Sequence, residues 1–391
     1  MRRKPFAVAM SLLLSGFLMN ACEKDPATSV DPQEQSSDQQ QAQNLSKENA
    51  AVTNCKTWVR ADQPATSFYT PNPNYQFNSS NPLGSTNTVT RLGVGNYRVD
   101  FPGLGTTGGT VQVSAYGGNH TAKVASWGPS GTTQNVFVRC FNTSGNPVDG
   151  RFTVLFYKEI RGAAWSDAFL WAHNPTAASY TPSLTYQWNS KGGTNTMTRL
   201  STGRYRATLP GINLTGGTVL VTAYGNSSQR AKVESWGPSG GNMLVTVRCY
   251  NSSGNLVDTQ FTLSFMSDVA LGAQFPEESD YGGYVWANNA TATTYTPSLA
   301  YQLNNTDKIN TIRQQSLGAY RVSFPLLKSL NKTTAIVTAY GTGSEYCAVN
   351  SWTAFGSSDS TNVFVRSYNN SGSLIDSRYT LLYLTDENII F

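Results

Sequence analysis

One segment constrains this chain more than any other. Ser126-Trp127-Gly128-Pro129-Ser130-Gly131 recurs unchanged as Ser235-Trp236-Gly237-Pro238-Ser239-Gly240, then in altered form as Ser351-Trp352-Thr353-Ala354-Phe355-Gly356. Other blocks keep the same step. Tyr69-Thr70-Pro71 matches Tyr180-Thr181-Pro182 and Tyr295-Thr296-Pro297, and Ala115-Tyr116-Gly117 matches Ala223-Tyr224-Gly225 and Ala339-Tyr340-Gly341. A Gly-x-Tyr-Arg block begins at Gly95, Gly203 and Gly318. The period of roughly 110 residues is too long for a solenoid or propeller repeat of about 20–50 and has the size of a domain.

Within a repeat the hydrophobic period is two. Tyr97, Val99 and Phe101 alternate with Arg98 and Asp100, and Val111, Val113 and Ala115 alternate with Gln112 and Ser114. Such alternation marks half-buried strands, and the Gly, Pro and Asn clusters between the runs mark turns. About seven or eight strands per repeat and no amphipathic helix predict an all-β chain of three tandem antiparallel β-sandwich modules. An Ig-like topology is the first expectation and a small barrel the second. The expected modules span residues 55–163, 164–270 and 271–391. Low charge (13%) with 12% aromatics and 34 Gly suits extracellular β structure.

The start of the chain is of another kind. Arg2, Arg3 and Lys4 precede an apolar run from Phe6 to Met19, too short to span a bilayer and proportioned like a secretory signal. Leu18-Met19-Asn20-Ala21-Cys22 resembles a bacterial lipobox, in which the cysteine receives a diacylglyceride. The resemblance implies a signal peptide over 1–21, lipidation at Cys22 and a location at the bacterial outer membrane or cell surface. An ordinary secretory signal cut nearby is the alternative. Residues 22–54 lack aromatics, are rich in Gln and Ser, and cannot bury enough surface to fold, so they are expected to form a disordered tether. Lys24 and Asp25 resemble the charged export tag of bacterial surface lipoproteins. The block order over residues 58–157, 169–266 and 284–383 resembles a repeat of uncharacterised secreted bacterial proteins. That resemblance implies secretion and modularity but no chemistry.

The net charge of +5 invites a nucleic-acid reading. Three of the positives leave with the signal, and the remainder form no cluster suited to a phosphate backbone, so nucleic acid is not an expected partner. Two His leave little material for a His-based metal centre. The acidic run Glu277-Glu278-Ser279-Asp280 is expected to be a solvated linker, with a single calcium ion near Glu277 and Asp280 as the sharper alternative. No cofactor is otherwise expected.

Among the cysteines, one repeat position holds Ala122, Ala231 and Cys347, and another holds Cys140, Cys249 and Ser367. The two positions could face each other across adjacent strands, yet no repeat keeps both thiols. Cys140 and Cys249 are expected as small core residues, with a bridge involving Cys55 or a second chain as the alternative. The carboxylate repeated in all three units, Asp149, Asp258 and Asp376, follows Arg139, Arg248 and Arg366 across an Asn-containing turn. These are expected to be hairpin-closing ion pairs rather than catalytic groups. His120 and His173 have no Ser or Asp constellation beside them in sequence. No catalytic set repeats, so the chain is expected not to be an enzyme.

The aromatics offer better functional material. Trp127 and Trp236, with Trp171 and Trp286 (which align with Arg60), are the candidate ligand-binding residues, since flat rings beside amides and hydroxyls suit sugars. A place in the core is the competing expectation. The resulting functional expectation is a non-catalytic, lipid-anchored binding or adhesion array for glycan or cell-envelope ligands. A secreted polysaccharide hydrolase or its accessory subunit, and a structural spacer, are the alternatives.

Overall fold

A computed structural model describes residues 54–81, 86–159, 166–267, 281–327, 331–353 and 360–385. Cys22, the signal, the tether up to residue 53, Glu277, Asp280 and the expected repeat boundaries lie outside the described residues. The first repeat contributes β1 (Asn54–Ala61), β2 (Phe68–Tyr69), β3 (Gln76–Asn78), β4 (Thr88–Gly93) and β5 (Asn96–Pro102). It continues with β6 (Thr110–Tyr116), β7 (Thr121–Ser130), β8 (Thr133–Phe141) and β9 (Arg151–Glu159).

The second repeat follows the same order. Its strands are β10 (Ser166–Ala172), β11 (Ser179–Tyr180), β12 (Gln187–Asn189), β13 (Thr196–Ser201) and β14 (Arg204–Pro210). They are followed by β15 (Thr218–Tyr224), β16 (Arg230–Ser239), β17 (Asn242–Tyr250) and β18 (Gln260–Ser267). The third repeat has β19 (Tyr281–Ala287), β20 (Thr294–Tyr295), β21 (Gln302–Asn304), β22 (Thr311–Ser316) and β23 (Ala319–Pro325). It ends with β24 (Thr333–Tyr340), β25 (Tyr346–Thr353), β26 (Ser360–Tyr368) and β27 (Arg378–Thr385).

The chain is all-β, and the alternation marks its strands correctly. In β5 every second residue is buried, with Tyr97, Val99 and Phe101 pointing inward. Among the described residues each repeat has nine strands rather than seven or eight, because two very short ones, such as β2 and β3, are too brief to show an alternation.

The sheets do not follow the repeats. Three nine-stranded sheets each combine strands of two repeats: β12-β10-β18-β15 continues into β7-β8-β5-β4-β2. Likewise β11-β13-β14-β17-β16 continues into β24-β27-β19-β21, and β20-β22-β23-β26-β25 into β6-β9-β1-β3. The first repeat therefore joins the second, the second joins the third, and the third joins the first. A row of self-contained modules is replaced by a closed ring with approximate threefold symmetry inside one chain, the intramolecular counterpart of a head-to-tail cyclic assembly.

The junctions explain motifs that recur in the sequence. At each, the Tyr of Ala-Tyr-Gly forms a parallel bridge to a Val of the neighbouring repeat: Tyr224 to Val124, Tyr340 to Val233 and Tyr116 to Val349. The next glycine, at positive φ, donates its N–H to that valine carbonyl at 2.8 Å in all three cases: Gly225, Gly341 and Gly117.

Closure also buries the second face of the central strands. Gln112 and Ser114 of β6, which the alternation places toward solvent, are buried. Thr153, Thr262 and Thr380 donate to the carbonyls of Ala335, Val111 and Val219 in the neighbouring repeats at 2.8, 2.7 and 2.6 Å. In return, the N–H groups of Val113, Val221 and Val337 donate to the hydroxyls of Thr222, Thr338 and Ser114. Such bonds satisfy polar groups that would otherwise be costly to bury. Beside them an apolar cluster from all three repeats, including Trp58, Leu155, Phe169, Leu220, Tyr284 and Ile336, fills the space between the sheets. Burying each side chain of this size contributes about 1.5–3 kcal/mol.

Inside each repeat a separate core is drawn from both sheets in which that repeat takes part, for example Val59 and Phe156 with Val99 and Val138. An Asn-Thr pair also recurs, as Asn87-Thr88, Asn195-Thr196 and Asn310-Thr311, and its Asn is buried here. Asn195 is buried, accepts from Asn189 at 3.0 Å and donates to the Trp188 carbonyl at 2.9 Å. Asn87 and Asn310 occupy the same place in the other repeats.

Candidate ligand-binding cleft

A register shift between Val124 and Ser126 precedes Trp127, and the same shift precedes Trp236 and Trp352. A bulge of this kind re-aims the side chain that follows it. Each Trp packs into a cluster supplied by the next repeat around the ring. Trp127 meets Trp171, Tyr186 and Tyr224 edge-on, with ring centroids 5.7, 5.5 and 5.6 Å away. Trp236 meets Trp286, Tyr301 and Tyr340 at 5.2, 5.5 and 5.5 Å. The indole N–H groups donate to Gly108 and Gly216 carbonyls at 3.0 and 2.9 Å.

The four candidate tryptophans are thus brought together in two pairs, one at each of two junctions. All four are half-buried, and each touches the others of its cluster. Edge-to-face packing of this type adds about 0.5–1.5 kcal/mol per pair beyond burial.

The third junction breaks the pattern. Trp352 meets Tyr75 and Tyr116 at 5.5 and 5.4 Å, but Arg60 stands where the other repeats carry Trp171 and Trp286. Its guanidinium lies 3.2 Å from the Tyr75 ring centroid, 5.1 Å from that of Tyr116 and 5.4 Å from that of Trp352. A planar guanidinium can stack on rings as an aromatic does while keeping its charge. Arg60 also pairs with Asp62 at 3.1 Å.

Beside this stack opens a cleft of about 670 Å³, within the usual range for small-ligand sites. Arg60, Asp62, Gln63, Asn72, Tyr116 and Arg151 line it. Arg151 donates to the Gly117 carbonyl at 3.2 Å and lies over the Tyr116 ring at 5.4 Å. Asn72 is fixed by accepting the Asn74 N–H at the start of the 3-10 turn Pro73–Tyr75. The cleft therefore presents one ring, fixed amides and an excess of positive charge. Arg60 is legible as the one departure from a tryptophan position. Arg151 is not set apart by the sequence: Gln260 stands in its place in the second repeat, but Arg378 takes it in the third and lies over the Tyr340 ring in the same way.

The expected hairpin ion pairs take other partners. Asp149 is held by Arg91, not Arg139, with Nη2 to Oδ2 at 2.8 Å, and also accepts from the Gly95 N–H and the Tyr97 hydroxyl. Asp258 is held by Arg199, Gly203 and Tyr205 rather than Arg248, whose guanidinium pairs with Glu234 at 2.6 Å. Asp376 accepts from Gln314, Gly318 and Tyr320, not from Arg366. The reason is strand alternation. Val138 and Cys140 point into the core, so Arg139 between them points out, whereas Asp149 sits beside the inward-facing Tyr97.

Burial alone would raise the Asp258 pKa, but hydrogen bonds from Arg199, Gly203 and Tyr205 outweigh it and bring it down to about 2. The Arg91 guanidinium is the main cause of the lowered Asp149 pKa. These carboxylates lie in the segments before β9, β18 and β27, bond to the Gly and Tyr of the Gly-x-Tyr-Arg block, and do not line the cleft.

The cysteine positions do face each other across adjacent strands: Ala122 opposite Cys140, Ala231 opposite Cys249 and Cys347 opposite Ser367. Cys140 and Cys249 are buried free thiols, Cys55 is buried, and Cys347 lies 3.2 Å from the Ser367 hydroxyl. His120 bonds the Arg151 carbonyl at 2.7 Å, and His173 packs between Trp171 and Tyr180. Among the described residues, no group of three or more His, Cys, Asp or Glu is placed to hold a metal ion. The sequence matches no protein-family model and no curated protein.

Proposed function

We propose that this chain is a non-catalytic binding protein displayed at the bacterial cell surface, held by a lipid on Cys22 and a flexible stalk, with glycan or cell-envelope ligands. In this reading each repeat is an Ig-like β-sandwich, and the ring of three forms a rigid head. The observation that carries it is the cleft at the third junction, where Tyr116, Gln63, Asn72 and two guanidinium groups converge. An aromatic ring with fixed hydrogen-bonding groups suits a sugar, whose C–H face packs on the ring while its hydroxyls bond the polar groups. Asp62 pairs with Arg60, which supports recognition rather than acid–base work.

Arg60→Trp tests the cleft with little risk to the fold, because it installs the residue that the other two junctions carry at the same place. On a glycan array, the mature chain with Cys22→Ser should bind a saccharide class, and Arg60→Trp should weaken that binding at least tenfold, a loss of about 1.4 kcal/mol. Its melting temperature should stay close to that of the parent. Absence of binding to every glycan and envelope fraction, or binding indifferent to Arg60→Trp, would overturn the assignment. The anchor has its own test: radiolabelled fatty acid should be incorporated by the wild type and lost in Cys22→Ala.

A further inference from the structure

Near the centre of the ring, β6, β15 and β24 approach one another beside β7, β16 and β25 and enclose a second cavity, of about 60 Å³. On the scale where one water needs about 10–15 Å³, it holds a few water-sized groups. Its charged lining is unbalanced. Lys123, Arg230 and Lys232 face it with a single carboxylate, Glu345, among the described residues.

The approximate symmetry shows what is missing. Lys232 of the second repeat bonds Glu345 of the third at 2.8 Å. Lys123 is the matching residue of the first repeat, and the residue of the second repeat that matches Glu345 is Gln229, a neutral amide that also lines the cavity. Lys123 is only 3% exposed. The one hydrogen bond of its ammonium among the described residues is to the Ser227 carbonyl, at 2.8 Å. Arg230 donates to the Asn251 carbonyl and the Asn370 side chain and lies over the Tyr346 ring, so it too has amide and aromatic partners but no paired carboxylate among the described residues. An ammonium in such a place is costly unless an anion accompanies it.

We infer that the axial cavity is a binding site for a small monovalent carboxylate, which takes beside Lys123 the place that Glu345 takes beside Lys232. The site is independent of the cleft at the third junction. Without the anion, burial lowers the Lys123 pKa to about 7. The neighbouring Cys249 thiol is held protonated by its own burial and supplies no negative charge. Binding is therefore expected to strengthen as pH falls through 7 and Lys123 takes up its proton, until the added carboxylate itself protonates.

The test uses the whole mature chain, with sodium formate and sodium acetate exchanged for sodium fluoride at constant ionic strength, at pH 6.5. The melting temperature should rise saturably, by about 3–5 °C at a hundredfold excess over Kd. Gln229→Glu installs the missing carboxylate and should melt higher than the wild type with no response to either anion. Lys123→Met should also lose the response. A wild-type melting temperature indifferent to formate and acetate, or an equal response in Lys123→Met, would overturn the site.

Discussion

Trp236→Ala is expected to destabilise the folded chain by about 3–5 kcal/mol, the range for truncating a large aromatic in a packed setting. The substitution removes the indole bond to the Gly216 carbonyl and three edge contacts, to Trp286, Tyr301 and Tyr340, all at the junction of the second and third repeats. Because a closed ring cannot loosen one junction without straining the other two, the loss should register in the whole molecule. Urea unfolding followed by tryptophan fluorescence and by circular dichroism should show a lower midpoint with both probes. A change below about 1 kcal/mol would mean that the aromatic cluster is peripheral to the junction's stability.

Gly216→Ala should have an effect of similar size from the opposite cause. Gly216 has φ +122, outside the range that residues with a Cβ adopt comfortably, and a Cβ there would lie 2.0 Å from the Ala300 carbonyl oxygen of the next repeat. The neighbouring Gly217 N–H donates to that same carbonyl at 2.9 Å. The backbone must shift, and the bond and the indole seat shift with it. A loss of about 2–4 kcal/mol is expected, measurable by the same unfolding experiment. Since both residues act on one junction, the double variant Trp236→Ala with Gly216→Ala should fall short of the sum of the single effects. Additivity within about 0.5 kcal/mol would show that the two contacts are independent.

Much of this architecture is visible in the chain before any coordinates, but its arrangement is not. Alternation identifies β5 because its two faces differ. It misplaces Gln112 and Ser114 because their face is covered by neighbouring repeats and not by solvent. Recurrence of a block reports that its contacts recur. It does not report whether the partner lies in the same repeat or the next. Tyr97 and Asp149 bond within one repeat, while Tyr116 and Val349 bond between two, yet both belong to equally regular motifs.

The same ambiguity surrounds the candidate tryptophans. Their repetition suits a ligand platform and a keystone equally well, and only the packed neighbours show how Trp127 and Trp236 are used. The cleft lies where repetition fails, at Arg60. A polar or charged residue in a column otherwise filled by tryptophan was the available clue, and its meaning depended on knowing that the column lines a junction.

The parallel bridges at the three junctions also bear on how such a chain can change over generations. A linear array tolerates gain or loss of a unit, because the ends stay ends. Here every unit is held on both sides, and the last hydrogen bond runs from the third back to the first, through Gly117 and Val349. An unequal crossover that removes one copy leaves two complementary strand edges, β6-like and β7-like, without their partners. One that adds a copy needs a wider circle than the present contacts allow. The number of units is therefore locked at three, and diversification is confined to substitutions that set one junction apart from the others, as Arg60 does.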